Sequence, residues 1–278
     1  MQLKIKQFTA QVQDAVATEQ LLLPSLPDIA LKVRDACEQE DSSAQNIADL
    51  VSQDPALCVR LLQVANSSLY RTRTATDNLN MAITRLGLKL VKDLIMGLAL
   101  KQLYRASSSI MQERFNELWL ASAKTAAISR LLASNVDGLN PEQAMLAGLT
   151  HNIGALPILL LAENDDDLFD DTESLCKIVR QMQGDVGAYI FKAWHFPDYM
   201  SDVAKNCYQF ERQHDGAPDY TDTVQVALIE GSIYTGLECP DDWTGVPAFH
   251  QLNIDTSTSM LEIDDNKIIF EETHSLFH

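Results

Sequence analysis

Cysteine is sparse in this 278-residue chain and unpaired in its spacing. Cys37, Cys58, Cys176, Cys207 and Cys239 are odd in number, lie far apart and form no Cys-x-x-Cys pair. That argues against a disulfide framework or a structural zinc site and predicts reduced thiols in a cytoplasmic protein. The opening MQLKIKQFTAQVQDA has two lysines but no apolar core and no cleavage site, so a secretory leader is not expected. Basic residues are also scarce, with 21 Lys and Arg against 39 Asp and Glu and a net charge of −18. Binding to nucleic acid draws on cations that displace phosphate counterions, so no nucleic-acid partner is expected. A possible local cluster, Arg71, Arg73, Arg85, Lys89 and Lys92, is read as scattered solvated charge.

The longest apolar stretch runs from Ala144 to Ala162, but Thr150, His151, Asn152 and Pro157 interrupt it. Hydrocarbon penalises such groups heavily, so the stretch is read as a buried helix, a turn and a second apolar segment, with no membrane span. There is no Gly-x-Ser-x-Gly elbow and no Gly-x-x-x-x-Gly-Lys phosphate loop, which removes two common hydrolase chemistries. The acidic run Glu163 to Glu173 lacks the central Gly of a calcium loop and is read as a solvated loop.

What the chain does have is helical period. In DPALCVRLLQVANSSLY, Asp54 caps, Pro55 takes the first helical position, and Leu57, Leu61, Leu62 and Ala65 form an apolar stripe. Asn140-Pro141-Glu142 repeats the cap-and-proline start. The segment Leu79 to Tyr104 reads as two helices with a turn near Gly87, and Gly97 is a further interruption. Phe115 to Ser134 is an Ala-rich helix, Lys177 to Pro197 is helical with a break near Gly184, and Asp222 to Leu237 is another helix. Trp119 and Trp194 fall on apolar faces as core residues. The β-branched KIIF (Lys267 to Phe270) suggests a short strand in an otherwise less regular tail. The pattern predicts an all-α fold of about a dozen short helices.

Three ordered motifs then carry a family resemblance: LLLPSLPDIALKV (Leu21 to Val33), QDPALCVRLLQVANSSLY (Gln53 to Tyr70) and AITRLGLKLVKDLIMGLAL (Ala82 to Leu100). They continue into LWLASAKTA, AGLTHNIGALPIL and GDVGAYIFKAWHFP. In this order they resemble the HDOD domain, the HD-related output domain of bacterial signalling proteins. The resemblance implies an HD-like helical bundle, a role in signal transduction, and descent from metal-dependent phosphohydrolases that often lose their ligands. On that basis we expect a lead-in over residues 1–20, an HDOD-like domain over 21–237 and an extension over 238–278.

The HD pattern implies an upstream His, a His-Asp pair, later histidines and a final Asp. These positions fall on Ala121, His151-Asn152, Gln183, the Cys207-Tyr208 step and Leu228. Only His151 keeps a ligand. Asn152 offers a neutral carbonyl oxygen, while Ala121 and Leu228 offer no lone pair, so ligand counting leaves no metal, no cofactor and no catalytic residue expected. His151 is then a core histidine bonded to a nearby carbonyl.

The function so implied is a non-catalytic output module working through an unidentified signalling partner. A possible partner surface carries Asn66, Ser67, Tyr70 and Arg71, although Asn66 and Ser67 also suit helix termination. Two alternatives stand beside it: a residual metal-dependent phosphohydrolase, and a small-ligand or cyclic-dinucleotide sensor using the vacated pocket. Apolar replacements at Ala121 and Leu228 favour packing, and a pocket lined by Arg or Lys would favour a ligand. The sequence sets neither the partner nor the oligomeric state.

Overall fold

The computed structural model describes residues 2–18, 24–39, 41–70, 74–231, 243–256, 259–262 and 264–277. Its helices are α1 (Gln2–Ala17), α2 (Asp28–Cys37), α3 (Ala44–Val51), α4 (Pro55–Asn66) and α5 (Leu79–Leu86). They continue as α6 (Leu88–Leu100), α7 (Ser109–Ala133), α8 (Pro141–Thr150), α9 (Ala155–Ala162) and α10 (Asp166–Asp170). The last are α11 (Thr172–Ala193), α12 (Asp198–Asn206), α13 (Tyr220–Glu230), α14 (Pro247–Gln251) and α15 (Asp264–Ser275). Among the described residues there is no strand, so the fold is all-α.

The chain divides into two compact units, one of Met1–Pro24 with Tyr104–Ser259, the other of Ser25–Leu103 with Met260–His278. In the second unit, α2 packs on α6, and α3, α4 and α5 pack together. Asp54 caps α4 by accepting from the Ala56 and Leu57 amides at 2.9 and 3.2 Å. The buried stripe of α4 is Leu57, Leu61, Val64 and Ala65, so Val64 takes the place assigned to Leu62, which is half-buried. The turn at Gly87 is present, with φ +82°. Gly97 interrupts nothing; it is buried inside a continuous α6.

KIIF is helical, contrary to the expected strand. The Ile pair sits inside a run of polar helix formers whose own spacing is satisfied at i, i+4. Thr273 Oγ1 donates to the Ile269 carbonyl at 2.8 Å, and Phe270 stacks on His274 with ring centroids 5.5 Å apart. Lys101 Nζ donates to the Phe277 carbonyl at 3.2 Å, tying this end of the chain to the second unit.

In the first unit, α7 and α8 pack most extensively, and α13 packs on both. Small residues permit this. A Cβ added to Gly148 would lie 2.9 Å from the Ala126 Cα. Arg130 and Glu142, both largely buried, join the two helices by a 3.0 Å ion pair. Asn140 caps α8 through the Glu142 and Gln143 amides at 3.0 and 3.1 Å, ahead of Pro141. Trp119 and Trp194 are core residues.

Two expectations change here. The acidic run contains a short helix, α10, started by Asp165 accepting from the Leu168 amide, because Leu168 and Phe169 bury themselves within it. Helix α11 runs unbroken past Gly184, where a Cβ would meet the Ala204 and Lys205 carbonyls at 3.1 Å. That glycine serves the approach of α12 and does not break its own helix. The stretch 141–162 is long and apolar enough to cross a membrane by length and composition, yet 89% of its most apolar window is buried inside the fold.

Candidate functional site

The sequence LTHNIGALP forms the four-residue turn between α8 and α9, held by Ile153 N–H donating to the Thr150 carbonyl and Ala155 N–H to the Asn152 carbonyl. Gly154 is required at its end. A Cβ there would fall 2.0 Å from the Gln183 carbonyl oxygen and 2.5 Å from the Gly187 nitrogen. The turn is therefore pressed against the backbone of α11 at Gln183 and Gly187.

His151 is 1% exposed, and both ring nitrogens are engaged. Nδ1 lies 2.7 Å from the Gly148 carbonyl oxygen, which can only accept, so Nδ1 carries the proton. Nε2 is then the acceptor, and the Tyr208 hydroxyl donates to it at 3.1 Å. Burial pulls the imidazole pKa down from 6.5 to about 4, against the opposing effect of the Gly148 carbonyl. The ring is neutral near pH 7. The lone pair that a metal would use is occupied by Tyr208.

Asn152 is equally committed. Its Oδ1 accepts from the Tyr104 hydroxyl at 3.0 Å and lies 3.0 Å from Ser122 Oγ. Its Nδ2 faces the Leu118 carbonyl at 3.5 Å. Tyr104 is fully buried, and burial raises its pKa, so it stays a neutral donor. Ala121, half-buried on α7, and Leu228, fully buried on α13, have no side-chain atom that could ligate. Cys207 is buried, and burial raises its thiol pKa. The donor set does not fit a divalent metal centre: one neutral imidazole, already capped, and an amide oxygen with no carboxylate beside it.

The sequence model of the HDOD domain matches residues 23–210. The chain is an HDOD protein. A crystal structure from Shewanella amazonensis, described as a candidate metal-dependent phosphohydrolase, is similar over 99% of both chains at TM-score 0.88 and 29% identity. An HDOD domain protein of unknown function from Geobacter sulfurreducens matches at TM-score 0.69 and 20% identity over 97% of each chain. A curated but uncharacterised protein of Treponema pallidum is 25% identical over 210 residues, which is 70% of this chain and 39% of that protein's length.

Beyond the motif, the HDOD fold assembles groups that sequence separation hides. His214, Asp219 and Asp222 gather at the start of α13, their ligating atoms all within 4.8 Å of one another. The cation there is already supplied: Arg212 pairs with Asp219 and, at 3.0 Å, with Asp222. Asp219 and Asp222 also form the reciprocal cap of α13. Burial raises the pKa of Asp222, with the Asp219 amide and His214 opposing it.

A second feature is a cavity of about 340 Å³ between α7, α9 and α11, with Arg114, Arg180 and Gln183 in its wall. Its two arginines are balanced by Glu113 and Glu117 in the same lining. Arg180 lies over the Tyr208 ring, its guanidinium carbon 5.1 Å from the centroid, so the cavity wall is one side chain from the His151 contact.

The expected partner surface divides. Asn66 clamps the backbone of Thr76, accepting from its N–H at 2.8 Å and donating to its carbonyl at 2.7 Å. Ser67 Oγ donates to the Val64 carbonyl at 2.7 Å. Both side chains serve the end of α4. Tyr70 is half-buried, and Arg71 lies outside the described residues. Of the basic cluster, Arg71 and Arg73 lie outside as well, Arg85 donates to the Ala65 and Thr74 carbonyls, and Lys92 pairs with Glu38 at 3.6 Å.

Proposed function

We propose that this HDOD protein is a non-catalytic signalling output module that works by contact with a partner protein. The observation that carries the reading is the closed hydrogen-bond set at LTHNIGALP. His151 is neutral and capped by Tyr208, and Asn152 is spent on Tyr104 and Ser122. A hydrolase of HD type would need these groups to face a metal and a phosphate. Here each is bonded to neighbouring groups of the fold, His151 to Gly148 and Tyr208, Asn152 to Tyr104 and Ser122. The description borne by the Shewanella relative points to hydrolysis; the donor set of this chain argues against it. With Asn66 and Ser67 serving their own helix end, Tyr70 and Arg71 are the residues we assign to the partner surface.

Elemental analysis after purification without chelators and incubation with manganese, iron and zinc tests the reading, together with assay of a generic phosphodiester. No stoichiometric metal and no metal-dependent hydrolysis are expected. Bound metal that disappears in His151→Ala would restore the hydrolase.

A further inference from the structure

Charge and burial are distributed unevenly around the cavity beside α11. Glu113 and Glu117 are exposed and sit at its rim with Ile110, which is 58% exposed. Leu159, Leu175 and Gln183 are buried and form its floor. Arg114 is committed to the wall: it donates to the Phe169 carbonyl at 2.9 Å, and its guanidinium carbon lies 4.4 Å from the Phe169 ring centroid. Arg180 is different. Its Nη1 is buried and has no hydrogen-bond partner, and no described carboxylate pairs with it. Arg180 lines the cavity with its charge uncompensated by any described hydrogen bond or ion pair, so an acceptor entering the cavity can reach the accessible part of its guanidinium.

We infer that this cavity is a binding site for a small monocarboxylate with an apolar body, its head group on Arg180 and its body on the leucine floor. The volume and mostly apolar lining suit a small molecule held by one well-placed polar contact. A planar guanidinium matches a carboxylate in geometry, and the charge-assisted bond gains strength where water is excluded. The count of charges selects a monoanion. Two arginines and two glutamates in the wall sum to zero, and a cyclic dinucleotide would bring two phosphates to one unpaired guanidinium with Glu113 and Glu117 at the mouth. The cavity stands on its own residues and does not depend on the non-catalytic reading of His151.

The test uses decanoate and phenylbutyrate on the full chain, with decanol as the uncharged control and cyclic di-GMP as the dianion. Either acid is expected to raise the melting temperature by about 3 °C at saturating concentration, and decanol and the dinucleotide are not. Arg180→Met keeps an apolar stem but removes the charge, and is expected to weaken the acids by roughly tenfold or more. Cys176 lies in the same wall, so its alkylation by a maleimide, followed by mass spectrometry, gives a local readout that bound acid should slow. If Arg180→Met fails to fold, slowed alkylation of Cys176 in the wild type by the acids and not by decanol still carries the proposal. Failure of both acids to shift melting or protect Cys176 overturns it. So does equal binding of decanol, or binding of the acids undiminished in a folded Arg180→Met.

Discussion

The Tyr208 hydroxyl donates to Nε2 of His151 across 3.1 Å and takes up the acceptor site the ring has left. Because Nδ1 already donates to the Gly148 carbonyl, the only lone pair on the imidazole points at Tyr208. His151 thereby bridges the α8–α9 turn and the segment after α12.

That arrangement has a signature in pH. The unfolded chain takes up a proton near pH 6.5, whereas buried His151 resists it until about pH 4. Between these values the unfolded state binds more protons, so stability rises with pH through the window and is lost as pH falls. The full cost is roughly 3 kcal/mol. Urea midpoints at about pH 7 and about pH 5 should differ more for the wild type than for His151→Gln. Nitrogen NMR of the imidazole should show one fixed Nδ1–H tautomer. A ring that titrates near pH 6.5 would show the site to be open.

Leu61 and Leu62 separate the phase of α4. Leu61 is fully buried, so Leu61→Ala should cost about 2–5 kcal/mol. Leu62 is half-buried, and Leu62→Ala should cost less than half as much. Chemical denaturation of both variants compares them, and equal losses would mean the stripe is turned by one residue.

Gly154 is a steric requirement. With the Gln183 carbonyl 2.0 Å from where a Cβ would stand, Gly154→Ala must part α9 from α11, at about 3 kcal/mol or more. Gly245 has nothing within 4 Å, and Gly245→Ala is the control, expected within about 0.5 kcal/mol. A near-neutral Gly154→Ala in the same denaturation series would contradict the close approach.

Asn66 joins the end of α4 to Thr76 by two hydrogen bonds, and Asn66→Ala leaves both Thr76 backbone groups unpaired. The expected cost is about 1–3 kcal/mol, with Ser67→Ala at about 1 kcal/mol or less. A change in partner affinity with no change in stability would instead make Asn66 a recognition residue.

Local rules made much of this fold legible. Asp54-Pro55 and Asn140-Pro141 start helices because a short acceptor and a missing N–H solve the problem of free first-turn amides wherever they occur. Gly87 turns the chain because its backbone needs a positive φ. That Ala121 and Leu228 offer no ligating atom is a matter of side-chain chemistry alone.

Tertiary structure decided the rest, and for one reason: contacts between distant segments have no local period. Gly184 looked like a helix break and is a seat for α12. The Ile pair of KIIF looked like a strand and is helical, with its neighbours bonded at helical spacing. Leu62 gave way to Val64 once the neighbouring helices set the face of α4. Arg212, His214 and Asp222 met only when the loop before α13 folded back. Arg180 became an unpaired cation in a cavity wall only because α7, α9 and α11 converge on it. The sequence determined that His151 stands in LTHNIGALP next to an amide; the fold decided that Tyr208 would meet its Nε2.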